Sequence, residues 1–196
     1  VHGNPVLQTP NLDILHEQSI RLSDYHVSPM CTPTRGQLLT GIDAARNGAV
    51  NVSSGRALLR PEIPILANYF SDAGYSTGAF GKWHLGDHPD FMPTNHGFDH
   101  YFGIPYSNDM NRKEVPLPLV RDLTVIRDSV QKETTITAQY TSEAVKFIKS
   151  NSSNPFFLYL PHTAVRRSRA PRGGGEAPPR AGARFAVRLY NVIAFS

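Results

Sequence analysis

Phe156-Phe157-Leu158-Tyr159-Leu160, with Pro161-His162 directly behind it, is the run whose reading decides the fold. Five apolar residues without alternation are the pattern of a strand buried on both faces, as in the interior of a parallel sheet. The segment before it, 134–149, places Ile136, Tyr140, Ala144 and Phe147 on one helical face, and Asn151-Ser152-Ser153-Asn154-Pro155 breaks it. The same order occurs earlier. Pro64 opens a helix whose Leu66, Tyr69, Phe70 and Ala73 form one stripe expected to be buried, and Gly74 ends it. Residues 75–80 then form a short strand running into Gly81-Lys82-Trp83-His84-Leu85-Gly86. Two helix-then-strand units predict an α/β layer fold with a mostly parallel sheet flanked by helices. Lys82 and His162 each fall just past the C-terminal end of a strand, the edge where open α/β sheets bind ligands. If the chain stays extended, Lys82 and His84 face one way and Trp83 the other, giving a site rim over a packed indole.

Working outward, the other informative stretch is Cys31-Thr32-Pro33-Thr34-Arg35-Gly36-Gln37-Leu38-Leu39-Thr40-Gly41, which holds the only cysteine. Thr32 suits an N-cap and Pro33 the first helical position, Leu38 and Leu39 give an apolar face, and Gly41 is a natural stop. Cys31 is thereby expected just ahead of a helix, at its positive end, with Arg35 four positions on: surroundings for an anion. Thr9-Pro10 repeats the cap-and-proline arrangement before Leu12, Leu15 and Ile20. Residues 21–30 read as a strand or extended loop, 42–60 as a loop, and 87–120, rich in proline, glycine, asparagine and aromatics, as one long ordered loop. His88, His96 and His100 fit no helix-based zinc spacing and are read as loop residues.

Composition narrows the class. The chain has 196 residues, 40% hydrophobic and 18% charged, as in ordinary globular proteins. No apolar run approaches the ~20 residues that span a bilayer, and Val1-His2-Gly3-Asn4-Pro5 carries no signal-peptide pattern. A single cysteine excludes an internal disulfide. The net charge of +4 is unevenly placed: residues 166–196 hold seven arginines against Glu176 alone. The body is therefore slightly acidic, and only the tail has the charge to bind nucleic acid. The tail is an Arg/Gly/Pro-rich low-complexity mixture without a core-forming period. It is expected to be disordered and non-native or out of frame, leaving residues 1–165 as one partial domain.

The two motif stretches resemble the signatures of type I, formylglycine-dependent sulfatases: Cys31-Thr32-Pro33-Thr34-Arg35 through Leu39-Thr40-Gly41, and Gly81-Lys82-Trp83-His84-Leu85-Gly86. Thr9-Pro10-Asn11-Leu12-Asp13 resembles the segment before the first signature. The stretch His96-Gly97-Phe98-Asp99-His100-Tyr101-Phe102-Gly103-Ile104-Pro105-Tyr106-Ser107-Asn108-Asp109 is most similar to the arylsulfatase A branch. The resemblance covers residues 1 to about 165. It implies an alkaline-phosphatase-like fold, here incomplete at both ends, and cleavage of a sulfate ester by an aldehyde hydrate made from Cys31. By resemblance, Arg35 holds that hydrate, Lys82 binds sulfate and steadies the nucleophile, His84 moves a proton on the diol, and Ser107 and His162 contact sulfate. Calcium is the implied metal. Of its ligands only Cys31, once converted, falls within this chain, because the family's aspartate pair would precede Val1 and its Asp/Asn group would follow His162. The chain therefore reads as a sulfatase fragment, expected to be inactive alone. A formylglycine-generating enzyme is the implied partner, with no nucleic acid or membrane partner, in a secreted, periplasmic or lysosomal setting. Two alternatives stay open: a phosphonate or phosphate ester hydrolase of the same superfamily, and a non-enzymatic fragment whose arginine-rich tail binds nucleic acid.

Overall fold

The computed structural model describes residues 8–20, 22–52, 58–107, 116–130, 135–163 and 191–195. Helices α1 (Pro10–Glu17), α2 (Cys31–Thr40), α3 (Ala44–Asn47) and α4 (Leu66–Asp72) precede strand β1 (Ser76–Lys82). Strands β2 (His100–Ile104), β3 (Leu119–Arg121) and β4 (Thr124–Arg127) follow, then α5 (Ile136–Ser150), β5 (Phe156–Pro161) and β6 (Asn191–Phe195). The sheet order is β4-β3-β2-β1-β5-β6. Its centre is parallel, with β1 between β2 and β5, while β3, β4 and β6 add antiparallel strands outside it. The expected α/β sheet flanked by helices is present, mixed rather than parallel throughout. Strand β6 lies within the stretch read as a low-complexity tail, and the rest of 166–196 lies outside the described residues.

Strand β5 supplies both cores, which is why its sequence does not alternate. Phe157 and Tyr159 face one cluster with Leu39, Ile65, Ala67, Trp83 and Phe98. Phe156 and Leu158 face the other, with Phe80, Phe102, Tyr140 and Phe147. Helix α5 covers this second face with the residues its period predicted: Ile136, Tyr140, Ala144 and Phe147 are all buried. Phe70 of α4 stacks on Phe157 across the first face, ring centroids 4.5 Å apart.

Four local expectations are corrected. Helix α4 begins at Leu66, not Pro64, and the Ile65 amide is capped by Asn68 Oδ1 at 2.9 Å. That start turns Ile65 and Ala67 into the core and leaves Tyr69 61% exposed, so the stripe drawn through Tyr69 is wrong. Residues 42–60 contain α3, started by Asp43 accepting from the Ala45 amide at 2.9 Å. The long loop 87–120 contains β2, which pairs directly with β1. Finally, α2 starts at Cys31 itself, with Met30 as its N-cap.

Strand β2 is admitted by glycine. Gly103 lies opposite Gly81 in the parallel register, and a Cβ there would run into the Gly81 carbonyl oxygen. That obstacle is backbone and has nowhere to move. Gly103→Ala is therefore expected to lower the unfolding free energy by about 3 kcal/mol or more, the upper range of overpacking costs. Urea unfolding of the two chains checks it, and equal midpoints would refute this account of the pairing.

Candidate active site

The first turn of α2 is fastened to the chain leaving β1 by two side chains. Thr32, fully buried, donates its hydroxyl to the His84 carbonyl at 2.9 Å. It makes a tertiary bond instead of the helix cap expected from its sequence position. Arg35, 2% exposed, donates from Nη1 to the Lys82 carbonyl and to the Tyr159 hydroxyl, the latter at 3.3 Å. Its Nε has no hydrogen-bond partner among the described residues. Cys31, half-buried, precedes Thr32 on the same turn. Cys31, Arg35, Lys82 and His84 are thus brought together from positions about fifty residues apart.

The segment 82–84 is held from three further sides. The Trp83 amide donates to the Ile104 carbonyl at 3.0 Å and the His84 amide to the Pro105 carbonyl at 2.9 Å. The indole of Trp83 donates to the Phe91 carbonyl at 2.7 Å. These bonds hold His84 at φ 64°, a left-handed conformation that a histidine adopts only when its surroundings impose it. The turn has a consequence for the predicted rim. Extended backbone would have left Lys82 and His84 on the surface, but both are buried along with Trp83.

Burial sets the electrostatics. Desolvation first, then the charges of Lys82 and Arg35, push the His84 pKa down to about 3 against a weaker opposing bond from Val52. His84 is therefore neutral. Its Nε2 lies 3.2 Å from the Val52 carbonyl, which can only accept, so Nε2 carries the hydrogen. Nδ1 is left with a bare lone pair and no partner among the described residues.

The two remaining candidates are attached less closely. Ser107 is half-buried beyond the end of β2, and no hydrogen bond among the described residues ties it to the group. His162 follows β5, whose last residue packs its carbonyl against Gly81, one position before Lys82. Burial lowers the pKa of His162, and its Nδ1 also lacks a partner among the described residues. Among the loop histidines, His96 is 1% exposed and its ring lies tilted against Trp83, centroids 6.0 Å apart, so it is buried against the core and not on the loop surface.

Sequence reading missed two functional supports, Thr32 as a tether and Tyr159 as a partner for Arg35. Tyr159 had a signal: it is the one hydroxyl in the buried run, and a buried phenol needs a partner. No three His, Cys, Asp or Glu side chains among the described residues gather to hold a metal. Calcium takes carboxylate and amide oxygens, and the group assembled here is cationic, so the described residues do not fit it.

Fold and site together define an α/β protein with a buried cationic centre, suited to an oxyanion, at the end of a parallel strand. The chain belongs to the sulfatase family, whose model matches residues 1–164. Arylsulfatase G of Canis lupus familiaris is 34% identical over 214 residues, covering 85% of this chain and 40% of that protein. N-acetylgalactosamine-6-sulfatase of Mus musculus is 34% identical over 183 residues, covering 81% and 35%. The chain thus spans about two fifths of these relatives' length. The PsFucS1 sulfatase of Pseudoalteromonas sp. superposes with a TM-score of 0.63 at 26% identity, over 76% of this chain and 37% of that one. A protein solved with its substrate D-glucosamine-2-N,6-O-disulfate superposes with a TM-score of 0.64 at 25% identity, over 84% and 31%.

The neutral His84 makes stability depend on pH. Its folded pKa lies below the unfolded 6.5, so the unfolded chain takes up the proton first as pH falls. The contribution is complete above pH 6.5 and is lost progressively toward pH 3, at about 1.4 kcal/mol per pH unit for one proton. His96 and His162 act in the same direction. Urea unfolding between pH 7 and 4 is expected to show this slope, reduced in His84→Gln. A slope unchanged by that substitution would place the buried proton site elsewhere.

Proposed function

We propose that this chain carries the nucleophile-bearing and anion-binding part of a sulfate ester hydrolase. The observation that carries the reading is the tethering of the Cys31 turn to 82–84, which sets the family's two signature segments against each other. A sulfate ester is an anion whose charge moves onto the leaving oxygen, so fixed positive groups belong where that charge develops. Lys82 supplies one such charge at the sulfate. Arg35 holds the strand end in place and adds its positive field from within the core. Ser107 and His162 are the further sulfate contacts of this reading.

Converted to formylglycine by a formylglycine-generating enzyme, Cys31 would supply an aldehyde hydrate hydroxyl as nucleophile. Cys31 is half-buried, a free thiol on the first turn of α2. His84 offers the Nδ1 lone pair to a proton. With a pKa of about 3 it is a weak base. An anion beside Lys82 and Arg35 offsets the charges that depress it, so substrate raises the basicity of the group that must take the proton. On this reading the protein works in a secreted, periplasmic or lysosomal setting. Among the described residues no helix is long and apolar enough to cross a membrane.

Three measurements test this. Inorganic sulfate is expected to raise the His84 pKa, read from its ring NMR signals, with the response weakened at least tenfold in affinity by Lys82→Ala. A His84 resonance indifferent to sulfate would remove the anion site. Coexpression with a formylglycine-generating enzyme should convert the Cys31 thiol to the aldehyde, seen by mass spectrometry of its tryptic peptide; a persistent thiol counts against the nucleophile. Calcium added to the 196-residue chain should neither raise its melting temperature nor start hydrolysis of an aryl sulfate, because no cluster of three His, Cys, Asp or Glu side chains gathers among the described residues. Calcium-dependent turnover by this chain would overturn that statement.

A further inference from the structure

Two Asn-X-Ser sequences of the kind that accept an N-linked glycan occur in the chain, Asn51-Val52-Ser53 and Asn151-Ser152-Ser153. The structure separates them. The Val52 carbonyl faces the His84 imidazole, so the first belongs to the wall of the candidate active site, and its Ser53 lies outside the described residues. The second opens the turn that leads from α5 into β5. Asn151 is half-buried at the end of α5, while Ser152, Ser153 and Asn154 are exposed. The Asn154 amide donates to the Asn151 carbonyl at 3.0 Å, which closes the turn.

The side-chain amide of Asn151 has two hydrogens and uses one. Its Nδ2 donates to the Phe147 carbonyl at 2.9 Å, and the second hydrogen has no acceptor among the described residues. Exchanging that second hydrogen for a sugar carbon leaves the bond to the helix end in place. The turn also lies at the edge where β1 and β5 begin: the Ser76 amide donates to the Pro155 carbonyl at 3.1 Å. Lys82 ends β1 and His162 follows β5 at the opposite edge. The 7 residues of β1 put roughly 20 Å between the two edges, so a glycan on this turn stands clear of the site.

An independent feature points to the same residue. Asn151 lines a cleft of about 180 Å³ between α5 and the sheet, with Phe80 and Phe147 as its apolar part and His100, Glu143 and Lys146 as polar groups. Glu143 accepts from Arg121 at 2.9 Å and from Lys146 at 2.8 Å, which fixes the polar wall. A cavity of about 150 Å³ accommodates a benzene ring, so this cleft has room for one sugar ring.

We propose that Asn151 is an N-glycosylation site, and that the first sugar of its glycan seats in this cleft with a C–H face on Phe147 and its hydroxyls toward Glu143 and Lys146. The donor is a polyprenyl-diphosphate-linked oligosaccharide. Nδ2 forms a bond to the anomeric carbon as the bond from that carbon to the diphosphate oxygen breaks. The nitrogen gives up one hydrogen as a proton, and the polyprenyl diphosphate leaves with the electron pair. Attachment holds the sugar at high local concentration, so weak contacts are enough to seat it. The assignment rests on the secreted or lysosomal setting of the hydrolase reading, because chains bound there pass through the lumen where the transfer occurs.

The test sends the full 196-residue chain, behind a cleavable leader, through a eukaryotic secretory pathway and takes lumenal material. The tryptic peptide 150–166 is expected to carry the glycan, and enzymatic removal should leave aspartate at position 151. Ser153→Ala should abolish the modification and Ser152→Ala should keep it; both positions are exposed, and transfer precedes folding. A bare Asn151, or a glycan that survives Ser153→Ala, overturns the site. With the glycan trimmed to one sugar, NMR should show contacts between sugar protons and the Phe147 ring, and their absence overturns the seat. The leader supplies the compartment, so a bare Asn151 speaks against the site and not against the setting. Inorganic sulfate should move the His84 ring signals equally with and without the glycan. Indifference of His84 to sulfate removes the hydrolase reading, while the mass of peptide 150–166 still decides the site.

Discussion

The buried guanidinium of Arg35 is the contact on which the site depends. It lies in the first face of the core, where a charge is costly unless its donors are used. Nη1 is used on the Lys82 carbonyl at the end of β1 and on the Tyr159 hydroxyl of β5. One side chain thereby joins a helix, the end of one parallel strand and the interior of the next. The guanidinium thereby gives buried backbone carbonyls at the end of β1 a charged donor. A lysine could carry the charge but not the fixed planar fork.

The same arrangement explains why the site's groups are tuned as they are. Enclosing Lys82, Trp83 and His84 removes the water that would screen them, so Lys82 and Arg35 act on His84 at short range in a poorly screened medium. The left-handed turn at His84 is part of this. It redirects the chain away from the extended path, puts the His84 carbonyl under Thr32, and lets the imidazole reach Val52. Strain at one residue is offset by hydrogen bonds to its carbonyl, its amide and its ring.

Much of the fold was legible where a periodicity had a single cause. Strand β5 and helix α5 read correctly because each is governed by burial alone, on two faces and on one stripe respectively. The two motif stretches stood out in the sequence through their resemblance to the family's signatures, and the structure sets Arg35 and Thr32 of one against residues 82–84 of the other. What escaped was whatever a tertiary contact decided. Thr32 looked like a cap because a local bond was available, and the distant His84 carbonyl competed for the same hydroxyl. Strand β2 looked like loop because Gly103 has poor strand propensity, and the reason for that glycine lies across the sheet in Gly81. Lys82 and His84 looked exposed because a positive φ on a histidine leaves no mark in the sequence.

The alternation of β5 between two cores couples the site to the way the chain arrives at its native state. A strand apolar on both sides has little to choose between neighbouring alignments: a slip of one position would exchange Phe157 and Tyr159 for Phe156 and Leu158, and either set is hydrophobic enough to fill either layer. Only one alignment brings a phenol to Arg35. A slipped alignment would withdraw the Tyr159 hydroxyl from the guanidinium, leaving Nη1 with the Lys82 carbonyl. The Tyr159–Arg35 bond is therefore a polar contact that sets the native alignment of β5 apart from its equally apolar neighbour.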